Sequence, residues 1–232
     1  MKSLLVIFPN IALRHSQIDT LKKALNDALD RQEDLLHNHT PDGGFNYRYP
    51  PVQYRSYEGK AALFGIGQGY DFIQKLLASS FLPEPFSSNY QIIKTSKPIS
   101  MDEAYHSYHL SHFIPFDAQN YQKYKAIASL GERSDFMQQN IANHILNFCK
   151  NYDFTIPNKS LNVVLRKITE MKETKIKNAT VLCFNTVFKA NIALPTHLGL
   201  GRYKSMGYGV VSPIIETKRT LNEDLFEKNL AN

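Results

Sequence analysis

Val52-Gln53-Tyr54-Arg55-Ser56-Tyr57-Glu58-Gly59-Lys60-Ala61-Ala62-Leu63-Phe64-Gly65-Ile66 reads as two short runs of strand-favouring residues joined by Glu-Gly, a hairpin signal. Upstream, Leu4 to Phe8 has the length and apolarity of one buried strand. Between that strand and the hairpin, Gln17 to Leu36 places apolar residues at 18, 21, 25, 28, 29, 35 and 36. This is a helical period, with Ser16 as N-cap. Pro41-Asp42-Gly43-Gly44 then forms a loop. Downstream, Tyr70 to Leu77 reads as a second helix and Tyr90 to Thr95 as a fourth strand. The order β-α-β-β-α-β within about a hundred residues is that of a ferredoxin-like unit.

Pro98 marks a junction, so the chain divides into residues 1–97 and 98–232. In the second part, Met101 to Ile114 is extended and Ala118 to Ile127 helical. Ser134 caps a long helix through Cys149 whose apolar face is Phe136, Met137, Ile141, Ile145, Leu146 and Phe148. Leu161 to Thr169 and Thr180 to Phe188 read as strands joined by a polar turn over Lys172 to Lys177. A glycine-rich loop, Gly199 to Gly209, precedes the apolar Val210-Val211. The expected fold class is α+β, two tandem ferredoxin-like (βαββαβ) domains with the second distorted.

The composition permits such a core, since 43% of the 232 residues are hydrophobic and 12% aromatic. No apolar run approaches the roughly 18 residues of a membrane span. The hydrophobic opening Ser3 to Phe8 is stopped by Pro9-Asn10, too soon for a secretory signal. Cys149 and Cys183 stand in neither metal-ligand nor redox spacing, which fits a reduced, cytoplasmic protein. Net charge is +6, and its placement is uneven. Residues 1–115 carry 11 Lys/Arg against 11 Asp/Glu, whereas residues 116–232 carry 16 against 10. Residues 150–204 hold 10 basic side chains against only Asp153, Glu170 and Glu173. Such a field attracts polyanions, nucleic acid foremost, though a solvated Lys-rich surface has the same composition.

Residues 199–209 read Gly-Leu-Gly-Arg-Tyr-Lys-Ser-Met-Gly-Tyr-Gly. Clustered glycines let backbone amides approach an anion, and Arg202 and Lys204 add charge. A P-loop is excluded because Tyr203, and no glycine, precedes Lys204-Ser205. A dinucleotide fingerprint is excluded because only 23 residues follow the loop. A tight β-connection whose glycines serve packing remains as open as phosphate contact.

His37-Asn38-His39 lies between the first helix and the Pro41 loop. Cleavage of RNA by its own 2′-hydroxyl needs a base for that proton and an acid for the leaving 5′-oxygen. Two imidazoles serve both roles near neutral pH without a metal. His106, His109 and His112 form a second cluster spaced by three, which invites zinc, but no carboxylate or thiolate spacing supports it. On a strand, His106 and His112 would share a face. His15, His144 and His197 stand alone and read as structural, the cysteines read as buried inert thiols, and the carboxylates are dispersed.

Phe188-Lys189-Ala190-Asn191-Ile192-Ala193-Leu194-Pro195, Gly199-Leu200-Gly201 and Ser205-Met206-Gly207-Tyr208-Gly209-Val210 resemble the C-terminal signature of the CRISPR repeat-processing endoribonucleases, Cas family six of the RAMP superfamily. Asn46-Tyr47-Arg48-Tyr49-Pro50-Pro51-Val52-Gln53-Tyr54, Gly65-Ile66-Gly67-Gln68-Gly69 and Gln119-Asn120-Tyr121-Gln122-Lys123-Tyr124 are similar to further family segments, in order over about residues 4–212. The resemblance implies two ferredoxin-like domains and catalytic histidine after the first helix, hence His37 and His39, with Tyr47 in support. It implies precursor CRISPR RNA as substrate, 2′,3′-cyclic phosphate and 5′-OH products, no metal and no cofactor. Arg166, Lys167, Lys172, Lys175 and Lys177 would hold the RNA backbone, and Gly199, Gly201, Arg202, Lys204, Ser205, Gly207 and Gly209 its phosphates. Further expected partners are other CRISPR effector subunits, with no membrane and a monomer or homodimer. A catalytically inactive RNA-binding subunit of an effector complex and a ferredoxin-like metabolite-binding domain are the alternatives.

Overall fold

The computed structural model describes residues 1–28, 49–79, 82, 84–96, 98–157, 160–176 and 179–215. Strand β1 (Ser3–Ala12), helix α1 (Ile18–Ala28), the hairpin β2 (Val52–Tyr57) and β3 (Lys60–Ile66), helix α2 (Gln68–Ala78) and β4 (Gln91–Thr95) make the first unit. Its antiparallel sheet has the order β2-β3-β1-β4. The second unit runs β5 (Ser100–Phe113), α3 (Ala118–Ala126), α4 (Leu130–Asn151), β6 (Val163–Ile176), β7 (Ala179–Ala193) and β8 (Val210–Pro213). Its sheet order, β6-β7-β5-β8, repeats the first, strand for strand. Two tandem ferredoxin-like units are therefore present. The second departs from the pattern at two places: two helices, α3 and α4, stand between β5 and β6, and no α-helix separates β7 from β8, where the glycine-rich segment stands instead.

Alternation along β1 explains how the units join. Leu4, Val6 and Phe8 face a cluster with Ile18, Leu21 and Leu25 of α1 and Ile73 and Leu76 of α2. Leu5 and Ile7, on the opposite face, join Phe64 and Ile66 in a second cluster with Met137, Ile141, Ile145 and Phe148 of α4 and Phe184 and Phe188 of β7. The first sheet is thus buried on both sides. Full burial of each such side chain contributes roughly 1.5–3 kcal/mol before entropy costs.

Three boundaries differ from the sequence-based expectation. Residues His15–Gln17 form a 3-10 turn, with the Gln17 side chain accepting from the Arg14 amide, so Ser16 is not the cap of α1. The α1 pattern beyond Ala28 lies outside the described residues. Helix α4 starts five residues early: Ser129 Oγ accepts from the Glu132 amide and caps it, leaving Ser134 inside. The polar stretch from Lys172 belongs to β6, which pairs with β7 as far as Ile176↔Ala179. Solvent covers most of β6, so no apolar alternation marks it as a strand. Among the described residues, no helix is long and apolar enough to cross a membrane.

Candidate nucleic-acid interface

The loop between β7 and β8 is folded tightly on itself and against the first unit. Gly209 adopts φ +64°, and a Cβ there would lie 1.7 Å from the Leu200 carbonyl oxygen. That oxygen cannot retreat freely, because Leu200 N donates to Gly209 O at 2.7 Å while Gly209 N donates to His112 O at 3.0 Å. Gly207, at φ +80°, leaves no room for a Cβ beside Ile18, the first residue of α1. The glycines therefore let the loop close on itself and press on the other unit. The amides of Gly199, Leu200, Arg202, Met206 and Gly209 donate to protein acceptors.

Arg55 of β2 clasps this loop from beneath. Only 3% exposed, it donates through Nη1 to Tyr54 O at 3.0 Å and Lys204 O at 2.9 Å. Its Nη2 donates to His197 O at 3.2 Å and to the Gln53 side chain, which also accepts from the Gly199 amide at 3.1 Å. Tyr49 adds a hydroxyl bond to Gly199 O. All four Arg55 acceptors are neutral, and burial lowers its pKa to about 10. The guanidinium thus leaves a positive field behind the loop. Lys204 turns inward, donating to Gly201 O at 3.0 Å, and burial lowers it to about 8. Arg202 is exposed, and Ser205 sits half-exposed in the 3-10 turn Lys204–Met206.

Beside the loop, His15 and His112 stack with ring centroids 4.1 Å apart and planes 7° from parallel. They come from different units. His15 directs Nε2 at Gly207 O, 3.1 Å away, and Tyr208 meets it edge-on at 4.6 Å. His112 occupies a bulge in β5: three residues, 111 to 113, advance the register past β7 by only two. Its φ is +51°, rare for a residue with a Cβ, and Asn185 Oδ1 fixes its amide at 2.7 Å. Asn185 in turn donates to Glu170, which accepts from Lys172 at 2.9 Å. Burial, then the neighbouring His112, holds His15 down at about 4, while burial and Lys172 lower His112.

The sequence-predicted residues separate accordingly. Arg166, Lys167, Lys172 and Lys175 are exposed along β6, and Lys172 is already paired with Glu170. Lys177, His37, His39 and Tyr47 lie outside the described residues. The bulge parts His112 from His106, contrary to a shared face; His106 bonds Asp102 instead. His144 is structural as expected, bonded to Pro115 O at 2.9 Å and edge-on to Phe113. His197 packs beside Tyr57. The expectation for His15 is corrected: it belongs to the interdomain cluster. Arg55, Tyr208 and the pairing of His15 with His112 were missed, since 97 residues separate the two imidazoles and no local pattern joins them. The cysteines are buried, with thiols pushed up to about 11.

The fold and loop define a double ferredoxin-like protein. Sequence models of the Cas6b N-terminal domain and Cas6b C-terminal domain match residues 1–83 and 100–214, respectively. The chain belongs to the Cas6b family. A crystal structure of Cas6b is similar with a TM-score of 0.81 and 23% identity, over 92% of this chain and 99% of that one. The crystal structure of a CRISPR RNA processing endoribonuclease Cas6b gives 0.73 and 22%, over 92% and 100%. Csf5, a CRISPR-Cas type IV Cas6 crRNA endonuclease, gives 0.64 and 11%, over 92% and 99%. No curated protein matches the sequence.

Proposed function

We propose that this chain is an endoribonuclease that binds CRISPR repeat RNA and cleaves the precursor without a metal ion. The match of both units to the Cas6b domains is the observation that carries the reading. In this mechanism one of His37 and His39 removes the ribose 2′-OH proton. The 2′-oxygen attacks the adjacent phosphorus, and the other histidine protonates the departing 5′-oxygen. The products are a 2′,3′-cyclic phosphate and a 5′-OH. Tyr47 supports a histidine or the phosphate by hydrogen bonding. The exposed cations of β6, with Lys177, hold the backbone, and the loop adds Arg202 and Ser205. Gly199, Gly201, Gly207 and Gly209 shape that loop, and the inward Lys204 charges it from within.

Single-turnover cleavage of repeat RNA in excess EDTA tests the reading. Activity should persist in chelator, and His37→Ala and His39→Ala should each slow it about 10²–10⁴-fold with RNA affinity nearly intact. Tyr47→Phe should cost less. Loss of activity in EDTA restored by Mg²⁺ would sink the mechanism. Binding without any cleavage would favour a catalytically inactive RNA-binding subunit.

A further inference from the structure

We propose that the stacked His15–His112 pair is a proton-linked binding site for one phosphodiester of the RNA backbone, bridging the two units at the glycine-rich loop. The inference rests on the RNA-binding part of the reading above and adds to it a site separate from His37 and His39.

Geometry carries the proposal. Two imidazoles from different units lie in parallel at 4.1 Å, half-exposed at the mouth of the loop, with the Tyr208 ring closing one side. His112 is placed there at the expense of an unfavourable backbone conformation and a bulge, and Asn185 braces it. Strain of this kind persists where the surroundings over-determine it, and it concentrates at ligand-binding positions.

The surroundings fix the sign of the ligand. His15 is faced by Arg55 from β2, Lys172 from β6, His112 from β5 and the Gly207 carbonyl. His112 is faced by Lys172 and Glu170 from β6 and His109 from its own strand. Glu170 is bonded to Lys172 and Asn185, and among the described residues the buried Arg55 charge has no acidic hydrogen-bond partner. The field is therefore positive and suits an anion. Both rings stay neutral near pH 7, because burial and these cations oppose a further charge. His15 donates through Nε2 to Gly207 O, so in the neutral ring Nδ1 carries the lone pair.

A phosphate oxygen arriving at the pair supplies the missing counter-charge, and one proton comes up from solvent onto it. At 4.1 Å the two rings cannot both be charged, so the uptake is limited to one. The linkage sign follows. The free pair titrates below the ordinary histidine range, and bound phosphate raises it. Affinity must then increase as pH falls, by up to about tenfold per unit between the bound and free pKa values.

The test is the affinity of repeat RNA, made uncleavable by 2′-O-methyl riboses, measured from pH 8 to pH 5.5 at constant salt. Parent affinity should rise about five- to tenfold per pH unit through part of this range. His15→Phe and His112→Phe together should flatten the rise, so that the gap to the parent widens from a few-fold at pH 8 to more than about thirtyfold at pH 5.5. This double variant keeps two flat rings in contact and removes both proton acceptors. A packing role alone would weaken binding equally at all pH values, and parallel curves for parent and variant would overturn the proposal. Binding of repeat RNA with parallel curves leaves the nuclease reading intact. Failure of the parent to bind repeat RNA at any pH would remove both.

Discussion

Arg55 shows most directly how one side chain couples the two units. It sits in a strand of the first sheet, yet two of its four acceptors, Lys204 O and His197 O, belong to the second unit. Its Nε is buried and has no hydrogen-bond partner among the described residues. A charge enclosed by carbonyl dipoles alone is costly to bury, but leaving those carbonyls without a donor costs more. Arg55→Met keeps the apolar stem and removes the fork, so it should destabilise the protein by roughly 2–4 kcal/mol in urea unfolding. Arg55→Lys should recover only part of this, because one ammonium cannot serve both carbonyls in the guanidinium's planar geometry. A loss below about 0.5 kcal/mol for Arg55→Met would show the clasp to be dispensable. In the sequence Arg55 stood inside an apparent hairpin strand, and nothing there announced partners some 140 to 150 residues away.

Among the elements, those with an apolar period were legible and those without one were not. The hairpin appears over Val52–Tyr57 and Lys60–Ile66, because buried side chains there must alternate or run continuously. The glycine loop was visible for the same kind of reason: close approach excludes a Cβ. That it replaces the second helix of its unit was not visible, since the replacement is a fact of topology. The β6 strand was cut short because its Lys, Glu and Thr residues answer to solvent on both faces. Seen whole, β6 is 14 residues long, roughly 45 Å, and displays its cations along a ribbon. Replacing Lys167, Lys172 and Lys175 together by Gln should lower the slope of log affinity against log salt for single-stranded RNA. Each lost phosphate contact is worth roughly 0.7, and Lys172 should contribute less because Glu170 already occupies it. Fluorescence anisotropy across a salt series reads this directly, and an unchanged slope would move the RNA path off the ribbon.

At the scale of the whole molecule, the first sheet is a shared wall. Leu5, Ile7, Ala62, Phe64 and Ile66 would face water if the second unit came away, and Phe148, Phe184 and Phe188 would lose that cover. Two units so joined should unfold as one, giving a single calorimetric transition. The position of that transition should depend on pH through the half-buried histidines. His15, His144 and His197 are each lowered to about 4, chiefly by burial, while in the unfolded chain they titrate near the ordinary value of 6.5. Between those values the unfolded state binds more protons, so stability is fully present above about pH 6.5 and drains away as pH falls toward 4. After allowance for partial exposure, the three together should account for roughly 2–4 kcal/mol over that window. His144→Phe, which keeps a ring against Phe113 and removes one titrating group, should shallow the fall at the price of the bond to Pro115 O. Two separate transitions would refute the shared wall, and a midpoint that stays level from pH 7 to pH 4.5 would show that these histidines remain free to take up protons in the folded protein.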